Sequence, residues 1–128
     1  MISYFSSKAY IFHAVDCDIL ISQGGGMHIK SKIYNRTLYV VLCGELDEHS
    51  APHTKFMLEK LFAGKDFGQI IIDLSELEFM DSTGIGVLIG RYKQMKTRNI
   101  PIFICNPSKQ AEKIFKMTGL YEIMPKIV

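Results

Sequence analysis

Three short runs in this chain are apolar almost throughout and rich in β-branched residues. They are Tyr39-Val40-Val41-Leu42-Cys43, Gln69-Ile70-Ile71-Ile72-Asp73-Leu74 and Ile102-Phe103-Ile104-Cys105. Such runs suit strands buried on both faces, and these occur mainly in parallel sheets. Stretches of helical periodicity separate them. Strands that alternate with helices become parallel neighbours joined by right-handed crossovers. The pattern therefore predicts an α/β fold: a mixed, mostly parallel sheet with helices packed on it.

The sheet opens differently. Residues 28–34 and 38–43 are both apolar-rich, with only Asn35-Arg36 and Thr37 between them. This reads as an antiparallel β-hairpin. Gly44-Glu45-Leu46-Asp47-Glu48-His49-Ser50 then reads as a polar turn, with Ser50 as the cap of the next helix and Pro52 in its first turn. Met57, Leu58, Leu61 and Phe62 make the inner face of that helix, and Gly64 suits its end. In the next helix Ile85, Leu88, Ile89, Tyr92 and Met95 recur at helical spacing, and Asn99 ends it. Asn106 and Pro107 read as cap and first residue of a last helix with Ala111, Ile114 and Phe115 inside and Gly119 at its end. Residues 120–124 read as a short final strand. The expected order is ββαβαβα(β).

A chain of 128 residues holds one domain with a full core. With 48% hydrophobic residues it is globular rather than disordered. A formal net charge of +2, without a Lys/Arg run, argues against direct nucleic-acid binding. Cys17, Cys43 and Cys105 are far apart, odd in number and without metal spacing, which suits reduced thiols in a cytoplasmic protein. The apolar stretch Ala9-Tyr10-Ile11-Phe12-His13-Ala14-Val15 is followed by Asp16 and Asp18. It makes neither a signal peptide nor a membrane span, which needs about 20 apolar residues.

Residues 1–26 do not share the pattern of the remaining chain and end in Gly24-Gly25-Gly26. They read as an N-terminal extension, peripheral or poorly ordered, joined by a flexible glycine run. A second reading starts translation at Met27. The main domain then spans residues 27–128.

In a parallel sheet, the loops after the strands gather at the strands' C-terminal ends. This places Glu45, Asp47, Glu48, His49, Asp81, Ser82 and Thr83 along one rim. Ser82 lies in the first turn of its helix, with Asp81 or Ser82 as N-cap. Both residue types cap helices well, and this alone accounts for them locally.

Three chemistries compete for the same residues. A hydrolase would use Ser82 with His49 as base and Asp47 or Glu45 behind it. The local Met-Asp-Ser-Thr-Gly is not a nucleophile elbow, however. His49 and His53 share a helical spacing, yet no third metal ligand comes after them. Gly84-Ile85-Gly86 through Gly90 is one residue too long for a dinucleotide fingerprint. Glycines there instead strip the helix start of side chains, so that a large partner can approach Ser82. Close helix–sheet packing is the plainer account of Gly86 and Gly90.

Gly44-Glu45-Leu46-Asp47, the segment Leu77-Glu78-Phe79-Met80-Asp81-Ser82-Thr83-Gly84-Ile85-Gly86-Val87-Leu88-Ile89-Gly90-Arg91-Tyr92-Lys93-Gln94, and Ile114-Phe115-Lys116-Met117-Thr118-Gly119-Leu120 together resemble the STAS-domain anti-sigma factor antagonists. The resemblance runs from about Met27 to the C-terminus and is strongest to the sporulation members. It implies a single STAS domain and a regulator rather than an enzyme. It implies that Ser82 is phosphorylated by a GHKL-type serine kinase, with its bound nucleotide, that is also the anti-sigma factor. Unphosphorylated antagonist binds that kinase and releases the sigma factor, and a serine phosphatase resets the switch. Glu45, Asp47, Asp81, Ser82, Thr83, Gly84 and Gly86 would form the partner surface. The resemblance implies no cofactor, no metal, no catalytic residue and no membrane partner, and a monomer when free. Two readings of the same fold stay open beside it: an antagonist in the general stress response or another pathway, and a STAS module of a transport system. Thr83 stands where the family often has a second serine, the leader to Gly26 has no counterpart, and the C-terminal tail is short.

Overall fold

Asn35 and Arg36 both adopt positive φ, 51° and 59°. That is the backbone of a two-residue type I′ turn, whose twist matches that of paired strands. It joins strand β2 (Met27–Tyr34) to strand β3 (Thr37–Leu46) in an unbroken antiparallel ladder from Tyr34↔Thr37 to Met27↔Gly44. The hairpin is therefore as expected but longer, and β3 runs through the first half of the expected polar turn. The computed structural model describes residues 18–21 and 26–127. Most of the N-terminal extension thus lies outside the described residues. Within it, strand β1 (Asp18–Ile21) pairs antiparallel with β2.

The rest of the chain is helix α1 (Ala51–Phe62), strand β4 (Gln69–Asp73), strand β5 (Leu77–Met80), helix α2 (Ser82–Lys96), strand β6 (Ile102–Cys105) and helix α3 (Lys109–Thr118). The sheet order is β1-β2-β3-β4-β6, with β4 parallel to both β3 and β6. Strand β3 is long enough to use two partners. Its first half pairs with β4 and its last residues pair with β5, which continues the line where β4 stops. Strand β5 was not expected. Leu77-Glu78-Phe79-Met80 buries only its two ends, so no alternation marks it.

The three described helices bury their inner residues against one core. Leu58 and Phe62 of α1, Leu88 and Met95 of α2 and Phe115 of α3 meet Leu38, Val40, Leu42, Ile70, Ile72 and Ile104 of the sheet. Helices α1 and α2 are also tied by polar groups. Arg91 Nη1 donates to the Lys55 carbonyl (3.0 Å) and Gln94 Nε2 to the Glu59 carbonyl (3.0 Å). Arg98 donates to the Phe62 and Gly64 carbonyls (2.8 and 2.7 Å), at the end of α1 and just past it. A cation placed there also suits the helix dipole.

Several ends differ from the sequence reading. Helix α1 ends at Phe62 with Ala63 as C-cap in ordinary right-handed geometry, so Gly64 is not its stop. Asn106 is not the cap of α3. It takes φ 55°, donates from Nδ2 to Asp73 Oδ1 (3.2 Å), and Ser108 caps instead, its Oγ accepting the Ala111 N–H (3.1 Å). Gly119 does end α3, at φ 73°. No strand comes after it among the described residues. Leu120–Glu122 forms one 3-10 turn: Leu120 and Met124 are buried but Glu122 between them is exposed, which breaks the alternation of a strand and suits a helical turn. The chain then returns to the sheet, where Lys126 bridges Ile104. The Tyr121 hydroxyl donates to Glu112 and Lys126 Nζ reaches the same carboxylate at 2.9 Å, which holds this tail to α3.

Candidate functional site

Met80 leaves the sheet as the last residue of β5, opposite Leu46, the last residue of β3. The next N–H, that of Asp81, donates to the Leu46 carbonyl (3.3 Å). One residue of β3 thus anchors the chain as α2 begins. Asp81 is the N-cap, with extended backbone, and its Oδ1 accepts the Thr83 N–H (2.9 Å). Such a cap stabilises a helix by about 1 kcal/mol. Ser82 is therefore freed from capping. It is exposed in the first turn, and among the described residues its hydroxyl has no hydrogen-bond partner. Thr83 beside it is also exposed.

The neighbouring turn is built by Asp47 rather than by Ser50. Asp47 Oδ1 accepts the N–H groups of Ser50 (3.0 Å) and His49 (2.9 Å). These two bonds, Ser50's first, hold its carboxyl below the usual carboxylate range. Ser50 Oγ donates to the Glu45 carbonyl (2.7 Å) and accepts the Asp47 N–H (3.1 Å), so it braces the turn and does not cap α1. Glu45 pairs with Phe79 across a β-bulge at Gly44/Glu45, and both side chains are exposed. The structure thus brings together Glu45, Asp47, Asp81, Ser82 and Thr83 at the β3 and β5 ends. Glu48 and His49 lie exposed on the same turn. The hydrogen bond that His49 makes here runs from its N–H to Asp47, not to Ser82. Among the described residues no group of three His, Cys, Asp or Glu could hold a metal ion.

The glycines divide differently from expectation. Gly84 is buried, and a Cβ there would lie 2.5 Å from Met80 Cγ and 3.0 Å from Leu46 Cδ2. Its small size serves packing at the β3–β5 end, so it leaves the set of surface residues. At Gly86 and Gly90 a Cβ would meet nothing within 4 Å. Close packing, the plainer account of these two, is therefore corrected. They line an open groove of about 440 Å³ between α1 and α2, with Thr83, Val87 and Arg91 on one side and Ala51, Pro52 and Lys55 on the other.

Sequence reasoning missed Phe79, which is 40% exposed at the rim. It also missed Gln110 of α3, whose Oε1 accepts the Met80 N–H (3.3 Å) and joins a third element to the site. Arg91 had a signal that was available: it falls between Leu88 and Met95 on the inward stripe of α2. Its burial pulls the guanidinium below its ordinary value, an effect that Glu59 at 3.4 Å partly offsets.

Among the described residues no helix is long and apolar enough to cross a membrane. The family model of the STAS domain matches residues 28–128. The anti-sigma F factor antagonist of Paenibacillus polymyxa is 30% identical over 99 residues, 77% of this chain and 85% of that protein. The anti-sigma-B factor antagonist of Listeria monocytogenes is 34% identical over 85 residues, 66% of this chain and 74% of that protein. Among solved structures, the unphosphorylated form of the anti-sigma factor antagonist SpoIIAA superposes with a TM-score of 0.66 at 27% identity, covering 78% of this chain and 88% of that one.

Proposed function

Because the chain belongs to the STAS domain family, we propose that it is an anti-sigma factor antagonist switched by phosphorylation of Ser82. Unphosphorylated, it binds an anti-sigma factor that is also a GHKL-type serine kinase, and the sigma factor is released. Phosphorylated, it no longer binds, until a serine phosphatase restores it. The reading makes the protein a kinase substrate in the cytoplasm.

The observation that carries this reading is the division of labour between Asp81 and Ser82. The carboxylate caps the helix, and the hydroxyl beside it stays exposed and unused. A phosphate on Ser82 adds about −1.5 to −2 charge and three acceptor oxygens. At a helix N-terminus that charge meets free N–H groups and the positive end of the dipole. The modification therefore leaves the fold intact and acts at the surface. It adds bulk and like charge beside Asp81, Glu45 and Asp47, where the partner docks. Phe79 supplies an exposed apolar contact on the same rim.

A pull-down from native lysate with unmodified protein, in ADP or ATP, tests the proposal. A GHKL-type kinase should be retained and should phosphorylate Ser82 with ATP. Ser82→Ala should bind and stay bound, and Ser82→Asp should bind poorly. Stoichiometric phosphorylation of Ser82→Ala would make Thr83 the acceptor and overturn the assignment. For the pathway, the similar identities to anti-sigma F and anti-sigma-B antagonists favour neither sporulation nor stress response. The sigma factor released from the captured kinase decides between them.

A further inference from the structure

The groove between α1 and α2 carries charge of one sign. Its ionisable lining residues are Lys55 and Arg91, both cations. Lys55 is exposed, and among the described residues its ammonium has no hydrogen-bond or ionic partner. Arg91 is 3% exposed. Its Nη atoms reach the Lys55 carbonyl and Glu59, but its Nε, also buried, meets no acceptor among the described residues. A buried donor left without an acceptor costs stability. The glycines of the groove cost stability too. Gly86 and Gly90 stand inside a helix of 15 residues, where alanine is the better residue. Neither has a positive φ, and nothing lies within 4 Å of a Cβ at either position. Internal packing therefore explains neither the bare helix face nor the leftover donor. Stability given up in this way fits a surface that another molecule covers.

We infer that the groove receives an acidic side chain of the anti-sigma kinase, on a segment that lies against Gly86 and Gly90. The inference rests on the reading of the chain as a kinase-switched antagonist, and it adds where the kinase must carry negative charge. A carboxylate in the groove pairs with Lys55 and offers the acceptor that Arg91 Nε lacks. The rim at the strand ends has the other sign, from Glu45, Asp47 and Asp81. Thr83, the residue after Ser82, lines the groove, so groove and rim meet at the candidate phosphoacceptor. A partner with anions for the groove and cations for the rim docks in one orientation, because the reverse would bring like charges together.

Zero-length carbodiimide crosslinking tests this, since it joins a lysine amine only to a carboxylate in contact with it. The full chain is mixed with the kinase captured in the pull-down, in ADP, and the products are mapped by mass spectrometry. Lys55 should be joined to an aspartate or glutamate of the kinase. If the kinase binds and phosphorylates Ser82 with ATP, yet Lys55 joins nothing or only a second copy of this chain, the inference falls and the functional reading stands. If the unsubstituted chain retains no kinase, both fall. Affinity gives an independent readout. By titration calorimetry Lys55→Glu should bind the kinase about tenfold more weakly or worse, while Lys65→Glu, the same charge change at an exposed position after α1, should stay within about twofold. Gly90→Leu fills the groove and should also lose about tenfold or more in affinity, with a melting temperature no lower than that of the unsubstituted chain. Unchanged affinity in Lys55→Glu overturns the inference, and if Gly90→Leu does not fold, the crosslink and Lys55→Glu decide.

Discussion

Asp81 Oδ1 lies 2.9 Å from the backbone nitrogen of Thr83, so the acid beside the candidate phosphoacceptor is engaged in holding the helix start. Removing that acceptor should cost stability without touching Ser82. Asp81→Ala should lower unfolding stability by about 1 kcal/mol, and Asp81→Asn by less, because an asparagine oxygen can also cap. Urea unfolding of the two variants checks this.

Gly84 and Gly86 are two residues apart on α2, yet substitution should act on them with opposite sign. A Cβ at Gly84 would collide with Met80 and press on Leu46. Gly84→Ala should destabilise by about 1–3 kcal/mol. Nothing stands within 4 Å of a Cβ at Gly86 or Gly90. Gly86→Ala and Gly90→Ala should each stabilise, by up to about 1 kcal/mol, since alanine restricts the unfolded chain and favours helix. Thermal melts of the three variants separate the signs.

Arg91 joins α1 to α2 from a buried position, and its partner Glu59 is half-exposed. Arg91→Ala should cost about 2–3 kcal/mol, because the Lys55 carbonyl loses its donor and the packing of the side chain is lost. Glu59→Gln should cost less than about 1 kcal/mol, as solvent screens that partner. Denaturant titrations would expose the asymmetry.

Burial pushes the Cys43 thiol up to about 11, and the nearby Glu76 adds to the shift. The folded state thus keeps its proton where the unfolded chain, with a thiol near about 8.5, has lost it. Stability from this group is complete below that value and is lost as pH rises toward 11. Guanidinium unfolding under reducing conditions should show falling stability between about pH 8.5 and 11, and Cys43→Ala should flatten that fall.

At the acid end the sign reverses. The N–H groups of Ser50 and His49 hold the Asp47 carboxyl down. Its contribution is present above the ordinary carboxylate pKa and is lost as pH falls through the lower, folded value. Asp47→Asn should weaken the acid dependence of unfolding below the ordinary carboxylate pKa of about 4, measured by circular dichroism.

Local pattern sufficed for the strands β2, β3, β4 and β6, for the stripes of all three helices and for the parallel topology. Each of these is written in a period of two or 3.6, or in an unbroken apolar run. The clustering of Glu45, Asp47, Asp81 and Ser82 came from topology, because strand ends must share one edge. Other features carry no period. Strand β5 exists because β3 outruns β4 and leaves an unpaired side for Leu77–Met80 to take. Ser50 and Asn106 are good caps in isolation, but Asp47 and Asp73 draw them into other hydrogen bonds. Which glycine is packed and which lies open depends on what stands opposite, and on α2 Met80 and Leu46 stand opposite Gly84 alone. Local chemistry set the residues' preferences; contacts between distant segments chose among preferences of nearly equal energy.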